Sequence, residues 1–387
     1  MNSSWQPPAA AIELRVHRDA HWPPDRPLAA FESKTLICHG GRLVDEAGPE
    51  GHDCTVHSEL EIQSTYCKTG PGATEIKLAP TGRFRNKGRL EVQQGRLCFD
   101  SSDVAGPAWE NAGDVQVRAG AELVLLGGPA SQTWIEGSVS IGGRMRVDVG
   151  TGALHGIAHW QVGSGARLEF ARASGDAPQS RLFRSIRYHG EVLFTGTGGR
   201  PVPGREAAGR YEISPSGLEG SGRLELIDAR VDTPVLDNHG SIIIGPGSYL
   251  GVESFQQTTG QAMVQLAGEL ATPQLELWAG RLATAGAGGI FSGALTLGRC
   301  TLEIPVLDAG RCASLEVRGP VSLRGGTLVV VLPDGIGPGR WTLLRASALT
   351  GEFKDYSCSP LAAGLSAALS YRGDAVELTV SEAQAAA

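Results

Sequence analysis

From about residue 58 to residue 380 the chain alternates apolar and polar residues in short runs, each closed by Gly, Pro, Asn or Asp. LEIQ, TEIKL, RLEVQ, DVQVR, RMRVDV, RLELID, SIIIG and TLVVVL are representative. A period of two places successive side chains on opposite faces of an extended backbone, so each run predicts a half-buried β-strand. Helical periodicity is nearly missing. PLAAGLSAAL at 360–369 has the composition for a helical turn, but its glycine and the strand-like run after it argue against one. Residues 1–57 read differently, with Pro7, Pro8, Pro23, Pro24, Pro27, five histidines (His17, His21, His39, His52 and His57) and little alternation. They predict an irregular N-terminal segment or cap, followed by a repeat domain at 58–380 and a disordered tail at 381–387.

The strands recur in register. FRNKGRLEVQQGRL begins at residue 84, WENAGDVQVRAGAEL at 109 and LDNHGSIIIGPGSYL at 236. Aligned on their first letters, all three carry Asn at +2, Gly at +4, branched apolar residues at +6 and +8, and Gly at +11. The first two start 25 residues apart, Trp134 falls 25 residues after Trp109, and Trp160 follows 26 later. A strand-turn-strand unit of that size cannot bury its apolar positions alone, whereas stacked copies close a continuous core. The pattern therefore predicts an all-β fold, a right-handed parallel β-helix whose coils rise by about 4.8 Å each. Glycine would supply positive φ at the corners and asparagine would form a stacked amide ladder. Leu90 with Val92, Val115 with Val117 and Ile242 with Ile244 would enter the core, Phe84 and Trp109 would stack at one corner, and Arg89 and Glu91 would face solvent. A β-sandwich or antiparallel barrel also suits glycine-rich alternating strands, but neither calls for Asn-x-Gly at a fixed 25-residue spacing.

Composition narrows the function classes. Of 387 residues 54 are glycine, about twice the usual share, and without a collagen triplet those glycines belong to turns. The net charge of −7 and the lack of any dense Lys/Arg run argue against nucleic-acid binding. No apolar stretch reaches the length of a transmembrane helix, and the N-terminus has no secretory-signal pattern. Seven cysteines without a CxxC fit neither a disulfide framework nor a zinc ribbon; Cys300 and Cys312 would pair only if they lie on neighbouring coils.

The blocks of apolar-x-Asn-x-Gly-x-apolar-x-Val resemble the repeats of bacterial autotransporter-type, adhesin-like β-helix proteins. Residues 321–380 are similar to the segment that often ends such a passenger, through Gly325-Gly326-Thr327-Leu328, Trp341 to Leu344, Leu349 to Phe353, Leu361 to Leu365, Leu369-Ser370-Tyr371 and Val376 to Val380. The resemblance implies an extracellular or cell-surface protein, adhesin-like and non-enzymatic, with host-surface or glycan ligands. It departs from the family in its cysteine content and in lacking both a signal sequence and a membrane barrel, which leads to the expectation of a monomer or a fragment of a larger chain.

Candidate chemistry is sparse. Cys38, His39, His52, Cys54, His57 and Cys67 cluster in sequence, and Cys54-x-x-His57 would suit tetrahedral zinc with Cys38 and Cys67 completing it. The cysteine spacings match no familiar zinc module, and a polar cap with buried thiols is the competing explanation. A carbohydrate-active β-helix enzyme, lyase or hydrolase, is the alternative to a scaffold and would need facing carboxylates. Asp100 with Asp103 and Asp228 with Asp232 are the available pairs; Glu91, Glu169, Glu225, Glu276 and Glu316 alternate with core residues and so predict a solvated ladder neutralised by arginines. His155 and His159 lie four apart, but Gly156 between them disfavours a shared helical face. The glycine-rich Gly196–Arg200 stretch leads into Pro201 and Pro203, so it offers no helix N-terminus to a phosphate. The segment 171–210 predicts a projecting loop. No residue is assigned a catalytic, cofactor-binding or metal-binding role, and no cofactor is expected.

Overall fold

The computed structural model describes residues 14–16, 19–22, 35–38, 40–150, 152–173, 180–182, 184–197, 210–213 and 216–383. Every regular element among them is a β-strand. The chain divides into two compact units, residues 1–217 and 218–387, and in each the strands stack in parallel, so that each unit is a β-solenoid.

In the first unit a coil is three short strands separated by tight corners. One coil runs through Arg83–Asn86, Arg89–Val92 and Arg96–Ser101, and the next through Gly106–Asn111, Asp114–Val117 and Glu122–Gly127. Each strand pairs in parallel with its counterpart, as in Leu90 with Val115 and Phe99 with Leu125. The strands Thr35–Cys38, Arg42–Asp45 and His52–Val56 already belong to these three rows, so coiling begins before residue 58 despite the proline- and histidine-rich composition there. Strands at Ser185–Tyr188 and Glu191–Thr197 continue the second and third rows, so the stretch 171–210 is in part coil wall rather than loop; 174–179 and 198–209 lie outside the described residues.

The core follows from the alternation. Leu90, Val92, Val115 and Val117 are buried, and one face of each strand lines the interior. Burying each such side chain contributes about 1.5–3 kcal/mol. Phe84 and Trp109 stack inside the coil with ring centroids 5.5 Å apart, within their strands rather than at a corner. The 25-residue aromatic rhythm then misleads. A register shift between Pro107 and Trp109 places Glu110, not Trp109, beside Trp134, so Trp134 points outward and is 39% exposed. Trp160 sits in the second row, at the position held by Val139 in the preceding coil, and is fully buried.

Two glycines of the repeat have different duties. Those at +11 (Gly95, Gly120 and Gly247) have φ of 70°, 79° and 74°, as a left-handed corner requires. Those at +4 (Gly88, Gly113 and Gly240) are needed for close approach: a Cβ would come within 2.0–2.1 Å of a carbonyl oxygen of the coil before. Two residues before the +4 glycines, Asn86, Asn111 and Asn238 are buried. Asn86 Nδ2 donates to Asn111 Oδ1 at 2.6 Å, and Asn111 Nδ2 donates to the Glu136 carbonyl at 2.6 Å, so the amides satisfy corner groups that water cannot reach.

In the second unit the first four coils each replace the first two rows by one long strand: Arg230–Asn238, Tyr249–Gln256, Glu269–Leu277 and Gly289–Leu297. Ser241–Ile244, Met263–Leu266, Arg281–Thr284 and Thr301–Asp308 form the opposing row. Ile242, Ile244, Val264, Leu266, Leu282, Leu302 and Ile304 fill it. Farther on, Leu365–Tyr371 and Ala375–Glu382 form an antiparallel hairpin, whose second strand pairs antiparallel with Gly339–Arg345 and occupies that edge. The stretch 360–369 thus has no helix; strand begins at Leu365.

Candidate functional site

The histidines and cysteines near the start do not gather around one point. His52 and Cys54 alternate on one strand and face inward, while His57 is exposed and Cys67 lies on the outward side of its own strand, where an Arg42 Nη2–H donates to its Sγ at 2.9 Å. The side chain of Cys38, and His39, lie outside the described residues. Among the described residues no three His, Cys, Asp or Glu side chains are placed to share a metal. Burial, with the charges of Asp45 and Asp53, pushes the Cys54 thiol up to about 12, the opposite of an activated nucleophile. Cys300 and Cys312 are both free thiols; Cys300 is buried, and Cys312 Sγ donates to the Thr342 carbonyl at 3.1 Å.

What surrounds His52 is a buried polar knot that alternation alone does not reveal. The Asp45 carboxylate accepts from Tyr66 Oη and Thr74 Oγ1, both at 2.7 Å, and from the Ala47 amide at 3.1 Å, and lies 3.1 Å from His52 Nδ1. Trp22 stacks on the imidazole at 4.5 Å. Nearby Lys68 is also buried, and Nζ–H donates to the Gly70 carbonyl; burial lowers its pKa against the opposing pull of Asp45. Asp45, Lys68 and Thr74 are wholly buried and His52 and Tyr66 nearly so, which gives a substrate no route to the knot. Its hydrogen bonds onto Asp45 tie the first coils together, while His52 Nε2 is buried without a hydrogen-bond partner.

Outside, the charges run in ladders between coils. Arg85 bridges Glu59 and Glu110 at 3.0 Å each, and Arg96 lies between Glu75 and Glu122. Arg167 joins Glu169 to Glu191, and Arg118 pairs with Glu91 at 3.0 Å. Burial opposes ionisation of Glu91, but hydrogen bonds from Arg118 and Gln93 and the charge of Arg89 outweigh it and lower its pKa. Glu91 is on the outward side as the alternation implies, yet these neighbours cover it. One member of each acidic pair is held by a cation, Asp103 by Lys77 at 3.1 Å and Asp232 by Arg230 at 3.0 Å, whereas Asp100 accepts from Ser102 and burial raises the pKa of Asp228. Beside these ladders the corner glycines Gly95, Gly120, Gly143 and Gly165 leave a shallow groove of about 620 Å³, flanked by Arg96 and Glu122.

Two exposed indoles depart from the charge ladders. In the first unit the His155 ring of the next coil lies beside Trp134, 4.7 Å between centroids and tilted by 35°, while His159, on the following strand, is 3.1 Å from Ser185 Oγ. In the second unit Trp278 is 48% exposed and lies over Gly298, where a Cβ would come within 2.3 Å of the indole Cε3. Its Nε1–H donates to Glu276 Oε2 at 3.1 Å, and Gln274 Nε2–H donates to Oε1 of the same carboxylate at 2.7 Å. Glu276 is therefore held by neutral donors, whereas Glu225 and Glu316 do pair with arginines as the alternation predicts, Arg223 and Arg318 respectively. Position along the chain identifies neither indole as a surface group. The RLEL-type strand just before Trp278, which fixes Leu277 inward and Trp278 beyond it, was the available signal.

The chain matches no protein-family model and no curated protein.

Proposed function

We propose that the protein is a non-catalytic β-solenoid scaffold, adhesin-like and exported to the cell surface or the extracellular space, whose outer faces carry its binding groups. The observation that supports this reading is the interlocking of the acidic side chains. Glu59, Glu91, Glu110, Glu169 and Asp232 each engage an arginine, on an adjacent coil or on their own strand, at 3.0–3.5 Å. A glycosidase requires one carboxyl group to keep its proton and another to stay free to attack or activate water. Carboxylates bridged by guanidinium groups are directed along the ladder rather than toward a shared substrate, and each bridge contributes only a few tenths of a kcal/mol to about 1 kcal/mol. They stiffen a wall. The sequence resemblance to autotransporter-type repeats supports the surface assignment.

Incubation with a panel of plant, bacterial and animal polysaccharides, with and without calcium, tests the non-catalytic reading. No release of reducing ends or unsaturated products is expected; turnover that survives repurification would overturn it. Fractionation of the source cells, with antibody detection on intact cells, tests the surface assignment.

A further inference from the structure

We infer that Trp278, with Glu276 and Gln274, forms a binding platform for a neutral oligosaccharide on the second unit. This rests on the scaffold reading and names its ligand class. An exposed tryptophan is ordinarily laid down with its ring against apolar neighbours; Trp278 instead has its ring over a glycine, and no side chain at 298 props it away from the wall. The indole is also pinned. Its N–H is spent on Glu276, whose second oxygen is fixed by Gln274, so the ring, the carboxylate and the carboxamide form one ordered surface before any ligand arrives. Ordering these groups in advance removes part of the entropy cost of binding.

The chemistry of the surroundings selects the ligand. Thr296 and Ser322 follow Glu276 in register on the next two coils and are half-exposed, so a line of hydroxyls leads away from the carboxylate at about 4.8 Å per coil. A peptide cannot add as a strand beside Thr296, because the backbone of 295–297 is already paired on both sides, with 275–277 and with 321–323, and Gly298 N–H donates to the Leu277 carbonyl. Only side chains are on offer. A pyranose matches them: the face carrying its axial C–H bonds is apolar and lies flat on an indole, while its rim hydroxyls donate to a carboxylate and exchange hydrogen bonds with amide and hydroxyl groups. The carboxylate at the centre and the net charge of −7 disfavour an anionic chain. The ligand is therefore neutral.

The test uses the full chain with hexasaccharides of β-1,4-glucose, β-1,4-xylose, β-1,4-mannose and α-1,4-glucose, followed by tryptophan fluorescence and calorimetry. At least one should bind with a change in indole emission. Trp278→Ala should weaken that binding at least about tenfold, as loss of a central aromatic contact does. Gly298→Val, which pushes the indole off its seat while keeping it, should weaken binding in the same direction, and Trp134→Ala should leave it unchanged. Thermal midpoints of Trp278→Ala and wild type should coincide, because the ring is exposed. The inference is overturned if none of the four binds at millimolar concentration, or if Trp278→Ala binds as wild type. Release of reducing ends from these hexasaccharides would instead overturn the non-catalytic reading and leave the platform standing if the Trp278 dependence persists.

Discussion

Asn86 reaches Asn111 one coil on, 25 residues later, whereas Asn238 reaches Gln257 only 19 residues later. The first pair belongs to the unit whose coils have three short strands, the second to the unit where two rows fuse into one long strand. The motif surrounding the two asparagines is the same, yet it stands at different corners. In the first unit Asn-x-Gly separates the first row from the second; in the second unit it separates the long strand from the opposing row, so Ile242 and Ile244 line a different wall from Leu90 and Val92. The corner that the second unit has lost is bent by other means. Inward residues run Val231 and Thr233, then Leu236 and Asn238, and likewise Leu270 and Thr272, then Leu275 and Leu277, a change of phase within one strand. At the change stand Thr233-Pro234 and Thr272-Pro273. Coil length also sets what fills the interior. The longer coils enclose Phe84, Phe99, Trp109, Trp160, Phe170 and Phe194, and the shorter ones close mainly on Leu, Ile and Val, with Phe255 and Phe291 among them.

If Asn-x-Gly is one device used at two corners, damage to it should cost the same in both places. Gly113→Ala and Gly240→Ala each bring a Cβ to 2.0–2.1 Å from a backbone oxygen, which cannot move without shifting a whole coil. Each should destabilise by roughly 3 kcal/mol or more, at the upper end for overpacking. Denaturant unfolding of the two variants measures this, and a clear inequality would mean that the corners only look alike. Asn111→Ala and Asn238→Ala come next. Each removes a buried amide that serves the neighbouring coil, at about 1–3 kcal/mol.

Alternation and the 25-residue spacing made the parallel solenoid legible, because period two and coil closure are both local arithmetic. The inward set Leu90, Val92, Val115 and Val117 followed directly. Three features were out of reach for specific reasons. The exposure of Trp134 turns on a register shift at Pro107/Trp109, and a one-residue shift sends a side chain to the opposite face. The long strands of the second unit keep the alternating look of two strands, and the Thr-Pro bend carries no corner glycine. The buried knot of Asp45, His52, Tyr66 and Thr74 joins residues 7, 21 and 29 positions apart, a convergence that exists only after coiling. The Trp278 platform was invisible for a related reason. Trp278 and Gly298 are unremarkable until the ladder sets one over the other.

Alkaline pH sharpens the comparison through the thiols. Burial pushes Cys54 to about 12 and Cys98 to about 11 in the first unit, and Cys300 to about 11 in the second, all from an ordinary 9.0. A folded pKa above the unfolded value means that stability is complete below pH 9.0 and is lost as pH climbs toward 11–12, because only the unfolded chain gives up the proton. The loss should approach about 1.4 kcal/mol per pH unit for each thiol. Denaturant titrations at about pH 8 and about pH 10, under reducing conditions, should show Cys300→Ala flattening the dependence for the second unit and Cys54→Ala with Cys98→Ala flattening it for the first. A dependence unchanged in all three variants would assign the alkaline loss to other groups.

The smallest effect asks whether Thr-Pro is the bend or merely tolerated by it. Thr233 Oγ1 donates to the Val235 carbonyl at 3.0 Å and Thr272 Oγ1 to the Gln274 carbonyl at 3.4 Å, each spanning the proline at the change of phase. A hydroxyl that closes such a turn competes with continued extension of the strand, as short polar side chains do elsewhere. Both threonines are buried, so replacement by valine keeps volume and β-branching while removing one hydrogen bond. Thr233→Val should cost about 1 kcal/mol and Thr272→Val, with the longer bond, less. Adding Pro234→Ala to Thr233→Val should cost more than the sum of the two single changes if hydroxyl and ring bend the strand together. Additive costs would make the bend a consequence of packing against the coils on either side, and the two units would then differ in length alone rather than in the chemistry of their corners.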